Sequence, residues 1–167
     1  MIWSLFPSGM RWMMAFLIVS TSSKRIPVSL LGSGPNDLAA ATGNDIDVAV
    51  GVAKEAFGST WRYILQAEKG RVLGRLADLI ERDAEELGSI EAVDAGILFA
   101  ESKNLHIVQA VETLRCFAGR ADKITGQHIQ IPQGYTYTRR EALGVCAAIV
   151  PWNSPLYVSS TKLPTLI

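Results

Sequence analysis

The sequence has few of the residues that build covalent or metal-held frameworks. It contains only two cysteines, Cys116 and Cys146, and two histidines among 167 residues. The cysteines form no CxxC pair and have no histidine at ligand spacing, which argues against a disulfide framework and against a structural zinc site. We therefore predict no metal site, and we expect both cysteines to be reduced, buried thiols.

The sequence also lacks an excess of charge and a long apolar run. Sixteen Lys and Arg balance sixteen Asp and Glu, so there is no electrostatic case for binding nucleic acid or an anionic membrane surface. The apolar run at residues 12–19 is shorter than the ~20 residues that a membrane-spanning helix needs. It has the length of a signal-peptide core but lacks a basic segment before it. We therefore predict no membrane span and a cytoplasmic location.

What the sequence does contain is an unbroken apolar run over residues 145–150, followed by Pro151, Trp152 and Asn153. Small and β-branched residues without polar alternation predict a strand that is buried on both faces, as in a parallel sheet flanked by helices. Pro151 ends the strand because it has no N–H to donate. Trp152 and Asn153 are thus expected beyond the carboxyl end of the strand, where open α/β sheets bind ligands.

Apolar periodicity predicts helices over residues 45–57, 66–92 and 104–122, and another that begins near residue 159. On the third helix, the residues expected to face inward are Val108, Val111, Leu114, Phe117, Ala118 and Ala121. His106 has no acidic or cysteine partner at i+4, so we assign it to packing or solvent rather than to catalysis. Residues 127–141 alternate with period two around Pro132-Gln133-Gly134. This pattern predicts a β-hairpin with an apolar face of Ile129, Ile131, Tyr135 and Tyr137.

Several motifs in the chain resemble motifs of a single protein family. The run Tyr-Thr-Arg-Arg-Glu-x-Leu-Gly-Val-Cys, followed by Ile-Val-Pro-Trp-Asn-x-Pro, resembles the start of the cofactor-binding domain in the aldehyde dehydrogenase superfamily. The likeness extends back through Gly119-Arg120-Ala121-Asp122-Lys123-Ile124 and Leu76-Ala77-Asp78-Leu79-Ile80-Glu81-Arg82. It covers residues 44–167 and leaves 1–43 as an unassigned extension and linker. It implies an α/β fold: an incomplete, mostly helical N-terminal part of a Rossmann-type domain.

The resemblance implies an NAD- or NADP-dependent oxidation of an aldehyde to a carboxylic acid by a cysteine nucleophile. It makes Asn153 the donor to the oxyanion, and it places Ile149, Val150, Pro151, Trp152 and Asn153 along the nicotinamide side of the cofactor crevice. An alternative role for Asn153 is that of a turn residue bonded to its own backbone. The hairpin at 127–141 is expected to pair with a neighbouring subunit in a homo-oligomer.

Members of the family carry the nucleophilic cysteine and the glutamate base downstream of the region that this sequence matches, so the chain alone is expected to be inactive. The 126–132 segment and Tyr-Thr-Arg-Arg-Glu look closest to dehydrogenases of betaine aldehyde or trimethylaminobutyraldehyde. Two alternatives remain open: a non-catalytic structural or regulatory partner of full-length subunits, and a truncated gene model. A reading frame that continues past Ile167 would favour the enzyme.

Overall fold

A computed structural model describes the chain over residues 18–20, 42–59 and 61–166. Most of the predicted extension and linker at 1–43, including most of the signal-like run at 12–19, lies outside the described residues. Strand β1 (Ile18–Ser20) precedes a helical region of α1 (Gly43–Gly58), α2 (Gln66–Arg82), α3 (Ala84–Ala95), α4 (Phe99–Glu101) and α5 (Val108–Ala118). A hairpin of β2 (His128–Ile131) and β3 (Gly134–Tyr137) follows, then β4 (Ala148–Val150) and α6 (Pro155–Leu166). In the described part of the chain, no helix is long and apolar enough to cross a membrane.

The main core lies where α2 packs against α5. It consists of Leu73, Ala77, Ile80, Ile107, Val111 and Leu114. The two helices approach closely at Gly70, where an added Cβ would lie 2.6 Å from the carbonyl oxygen of Ala118. Leu156 of α6 packs on the edge of this core, so the helix that follows Pro-Trp-Asn is attached to the helical region. The mostly helical, partial α/β arrangement confirms the predicted fold class.

The prediction of one helix over 66–92 is wrong, because the chain breaks at Asp83. This residue has φ −99° and ψ 21°, and its carboxylate accepts hydrogen bonds from Arg82 at 2.8 Å (Nε) and 2.6 Å (Nη2). The break leaves α2 against α5, while α3 packs against the segment after α4 and against α6. Periodicity missed it because the apolar stripe continues on both sides of the bend.

The third predicted helix also differs from the observed one. It begins at α4 and passes through a π-helical segment, Ser102–Ile107, before α5. Its buried stripe is centred on Ile107, Val111 and Leu114, whereas Val108 is 45% exposed. Since neighbouring residues on a helix are about 100° apart, Val108 points away from the face that Ile107 occupies. The inward assignment of Val108 is therefore wrong.

Strand β4 is shorter and less covered than predicted. It pairs in parallel with β1, with Val19 opposite Ile149. Val150 is 2% exposed but Ile149 is 60% exposed, so a strand over 145–150 with both faces buried is a wrong prediction. Among the described residues, this sheet has only two strands, and nothing covers the face on which Ile149 lies.

Both cysteines are exposed, which corrects the expectation of buried thiols. Cys146 lies before β4 rather than inside it. Cys116 follows the buried Leu114 by two residues on α5, so it lies on the opposite side of that helix. Neither thiol is part of the core.

The hairpin forms as predicted, but its apolar residues are not all on one face. The turn pairs Ile131 with Gly134 and therefore Ile129 with Thr136 and Gln130 with Tyr135. Because directly paired residues share a face of an antiparallel ladder, the isoleucines and the tyrosines lie on opposite faces. The single apolar face is thus a wrong prediction. The rings of His128 and Tyr135 stack on the tyrosine face, with their centroids 4.9 Å apart.

Helix α6 begins at Pro155 rather than near residue 159. Proline is favoured in the first turn of a helix because the N–H that it lacks would have no partner there. The earlier start has a consequence for the site, since only residues 151–154 separate β4 from α6.

Candidate functional site

The four-residue turn Pro151–Ser154 lies between the carboxyl end of β4 and the first turn of α6. Trp152 is 55% exposed and Asn153 is also exposed. Within the described part of the chain, the Asn153 side chain makes no hydrogen bond, so it is not bonded to its own backbone. The turn thus presents a free carboxamide and an indole to solvent.

The predicted cofactor-wall residues fall into two groups. Ile149 and Trp152 have side chains that are more than half exposed, at 60% and 55%. Val150 is buried and Pro151 half-buried, so these two hold the strand end in place and offer little side-chain surface. The five predicted residues are therefore contiguous at one strand end, with Ile149, Trp152 and Asn153 accessible.

Lys162 connects α6 back to the strand. Its Nζ donates a hydrogen bond to the backbone carbonyl oxygen of Ile149. That carbonyl belongs to β4, directly before the turn. Lys162 thus joins the two elements that flank Asn153.

A buried carboxylate on α3 reaches the other side of the turn. Glu91 is 4% exposed. Its Oε1 accepts a hydrogen bond from the backbone N–H of Leu156 at 3.2 Å, and its Oε2 accepts one from the Ser102 hydroxyl at 3.0 Å. The Nδ1 of His106, which is 7% exposed, lies 3.4 Å from Oε2. His106 therefore has an acidic neighbour after all, from a different helix.

Sequence reasoning did not single out Glu91, although a signal was present. Ile80, Ala84 and Leu87 are spaced four and three residues apart along the apolar stripe, and Glu91 follows four residues after Leu87. A carboxylate in phase with an apolar stripe is a buried charge in need of partners. The partners come from residues 102 and 156, which only the tertiary structure brings close.

The shifted pKa values belong to other parts of the structure. Burial lowers the pKa of Lys69, whose ammonium lies 4.9 Å from the centre of the Trp61 ring. Hydrogen bonds to Glu81 and Asp78 raise the pKa of Arg115. These groups connect helices, so they bear on stability rather than on the turn.

No nucleophile or metal centre accompanies Asn153 in the described region. The Cys146 thiol lies 3.7 Å from the carbonyl oxygen of Gly144, and among the described residues no cluster of His, Cys, Asp and Glu could hold a metal ion. What the turn offers chemically is an N–H donor at a strand end. Such a donor can stabilise negative charge that develops on a substrate oxygen.

Comparisons with known proteins agree with this arrangement. The model of the aldehyde dehydrogenase family matches residues 32–167. An aldehyde dehydrogenase of Emericella nidulans is 45% identical over 74% of this chain and 25% of its own length. The mouse protein named aldehyde dehydrogenase, cytosolic 1, is 47% identical over 71% of this chain and 24% of its own length. The chain thus spans about a quarter of the curated relatives that it matches.

Solved structures show the same likeness. PnpE, in complex with nicotinamide adenine dinucleotide, superposes with a TM-score of 0.72 at 41% sequence identity. The match covers 77% of this chain and 26% of the PnpE chain. An NAD+ complex of a Bacillus cereus aldehyde dehydrogenase gives 0.70 at 41% identity, over 74% and 26%. The betaine aldehyde subtype predicted from residues 126–141 is not supported by these relatives. On the match of its sequence and of its fold, the chain belongs to the aldehyde dehydrogenase family of oxidoreductases.

Proposed function

We propose that this chain supplies the oxyanion donor and one wall of the nicotinamide site in an NAD- or NADP-dependent dehydrogenase that oxidises an aldehyde to a carboxylic acid. The observation that carries the proposal is the Asn153 carboxamide, which is exposed at the carboxyl end of β4. It makes no hydrogen bond within the described part of the chain. A donor that stabilises a transient oxyanion must be held in position with its N–H unused in the resting state.

The residues around Asn153 fit a bound nicotinamide. Ile149 and Trp152 are more than half exposed beside the donor, and an apolar wall next to a few polar groups is typical of cofactor sites. The cofactor would accept a hydride when bound. The residues of this chain would orient the aldehyde oxygen through Asn153 and cover one side of the ring.

We assign the nucleophile to neither Cys116 nor Cys146. Cys116 lies on α5 and Cys146 precedes the amino end of β4, whereas Asn153 follows the carboxyl end of that strand. The isolated chain is accordingly expected to reduce neither NAD nor NADP with any aldehyde. We also expect its affinity for NAD to be weaker than a micromolar Kd, which corresponds to a binding free energy of ~8 kcal/mol. Turnover by the purified chain that disappears in a Cys146→Ala variant would refute this assignment.

The direct test of Asn153 needs a complete enzyme. We suggest a chimera in which residues 44–167 replace the matching quarter of the mouse relative, assayed by NADH formation with a simple aliphatic aldehyde. Asn153→Ala should lower kcat about 100-fold or more with little change in KM, as the loss of one oxyanion donor does. Asn104→Ala, at an exposed position in the π-helical segment, is the control. Equal kcat values for the two variants would refute the donor role.

A second element supports assembly into a homo-oligomer. The hairpin exposes Ile129, Tyr135 and Tyr137 by 45%, 68% and 77%. Both of its faces therefore carry uncovered apolar surface, and its strand edges are unpaired within the described residues. A Tyr135→Lys, Tyr137→Lys variant of the chimera should sediment as a smaller species. An unchanged sedimentation coefficient would place the contact elsewhere.

We also propose a cytoplasmic location, which the name of the mouse relative, aldehyde dehydrogenase, cytosolic 1, supports.

A further inference from the structure

The first turn of α6 begins without a local cap. Pro155 has no N–H, so the backbone N–H of Leu156 is the first donor of the helix that needs a partner from outside it. A serine at the preceding position, Ser154, is the usual residue for this purpose. The Ser154 hydroxyl makes no hydrogen bond among the described residues. The Leu156 N–H is instead bonded to Glu91, which lies on a different helix.

The carboxylate of Glu91 has several polar neighbours where it meets α6, including Nδ1 of His106 at 3.4 Å. Its second oxygen, Oε2, accepts a hydrogen bond from the hydroxyl of Ser102, a residue that is 0% exposed. A buried carboxylate is costly unless hydrogen bonds satisfy it, and a hydrogen bond to an ionised acceptor is about twice as strong as a neutral one. The negative charge also lies at the positive end of the α6 dipole. The contact thus joins α3 to the start of α6 through a buried carboxylate.

A second contact restrains the other side of the same turn. Lys162 of α6 donates to the carbonyl oxygen of Ile149 in β4. Only residues 151–154 lie between β4 and α6, and Asn153 is one of them. The position of the Asn153 carboxamide therefore depends on how β4 and α6 are held relative to each other.

We propose that Glu91 is a positioning residue for the Asn153 carboxamide. By bonding the Leu156 N–H from α3, it fixes the entry of α6, and with the Lys162 contact it fixes both ends of the turn that presents the donor. The role is indirect, since Glu91 bonds α6 and reaches no reacting atom. The inference rests on the proposed function, because it needs Asn153 to be the oxyanion donor.

The first test uses the 167-residue chain and measures amide hydrogen exchange at Leu156 by NMR. Glu91→Leu removes the acceptor, and its exchange should be about tenfold faster or more, as expected for the loss of a hydrogen bond to a charged group. Glu91→Gln keeps a neutral, weaker acceptor and should give an intermediate increase of about threefold. Glu86→Gln, at an exposed site on the same helix, is the control and should leave Leu156 unchanged.

The second test makes the same substitutions in the chimera. Glu91→Leu should lower kcat about tenfold or more with KM nearly constant, Glu91→Gln should restore most of it, and Glu86→Gln should have no effect. If Glu91→Leu does not fold, Glu91→Gln decides through the exchange measurement: Leu156 exchange at the wild-type rate in this variant overturns the proposal. A small effect of Asn153→Ala would instead overturn the proposed function. A large effect of Asn153→Ala with wild-type kcat in the Glu91 variants would overturn this inference alone.

Discussion

Two glycines on α2 allow the packing of α2 against α5 to be measured separately from helix propensity. Gly70 and Gly74 lie one turn apart in the same helix. An added Cβ at Gly70 would lie 2.6 Å from the backbone carbonyl oxygen of Ala118, whereas at Gly74 the nearest atom is 4.0 Å away. Replacing either by alanine gains about 1 kcal/mol of helix propensity. Because that gain is common to both, the difference between the two variants reports the packing alone.

Gly74→Ala should raise the free energy of unfolding by about 1 kcal/mol. Gly70→Ala forces α5 away from α2, and overpacking of this kind costs about 1–3 kcal/mol, so it should be less stable than Gly74→Ala by that amount. Urea unfolding followed by far-UV circular dichroism measures both variants, and equal m-values would show that the compactness of the two states is unchanged. Equal midpoints for the two variants would refute the close approach at Gly70.

Three further predictions concern the core, the first helix and the strand. Leu114→Ala should lower the free energy of unfolding by about 2–5 kcal/mol, because Leu114 is 0% exposed. Leu105→Ala, at a site that is 46% exposed, should lower it far less in the same urea titration. Similar losses for the two variants would contradict the assigned core. At the start of α1, the hydroxyl and the backbone N–H of Thr42 donate hydrogen bonds to the Asp45 carboxylate, both at 2.7 Å, and lower the pKa of Asp45. Their contribution to stability is present at neutral pH and is lost as the pH falls through the lowered folded pKa. An NMR titration of Asp45 with an ordinary midpoint would contradict these hydrogen bonds. Val145 and Ile149 are 40% and 60% exposed, and apolar surface of this kind should make the isolated chain associate with rising concentration. A monomer in sedimentation, with strong amide protection over 146–150, would exclude this.

The local elements near the site were largely predictable from sequence. The apolar run, Pro151 and the Pro-Trp-Asn motif place Asn153 after a strand, and the structure has Asn153 after β4. The turn residues Pro132-Gln133-Gly134 predict the hairpin, which the structure contains. These elements follow from backbone chemistry within a few residues: a proline without an N–H, a glycine that tolerates φ of 151° and a period-two alternation.

Three of the errors depend on pairing or packing that a pattern within one element does not specify. The face on which Tyr135 lies depends on the hairpin register, and a shift of one residue exchanges the two faces. The exposure of Val108 depends on which side of α5 meets α2. The break at Asp83 separates a helix that packs on α5 from one that packs on α6. Periodicity describes one element at a time, so it cannot choose among these arrangements.

The sequence alone determined the family and the place of Asn153 after a strand, because these are written in short motifs and in an apolar run that ends at a proline. Only the tertiary structure showed which contacts flank the turn that carries Asn153. The carboxylate of Glu91 and the Leu156 N–H are 65 residues apart in the chain, and no local pattern connects them. A buried charge can be recognised in a sequence, but the groups that satisfy it become known only when the helices pack together.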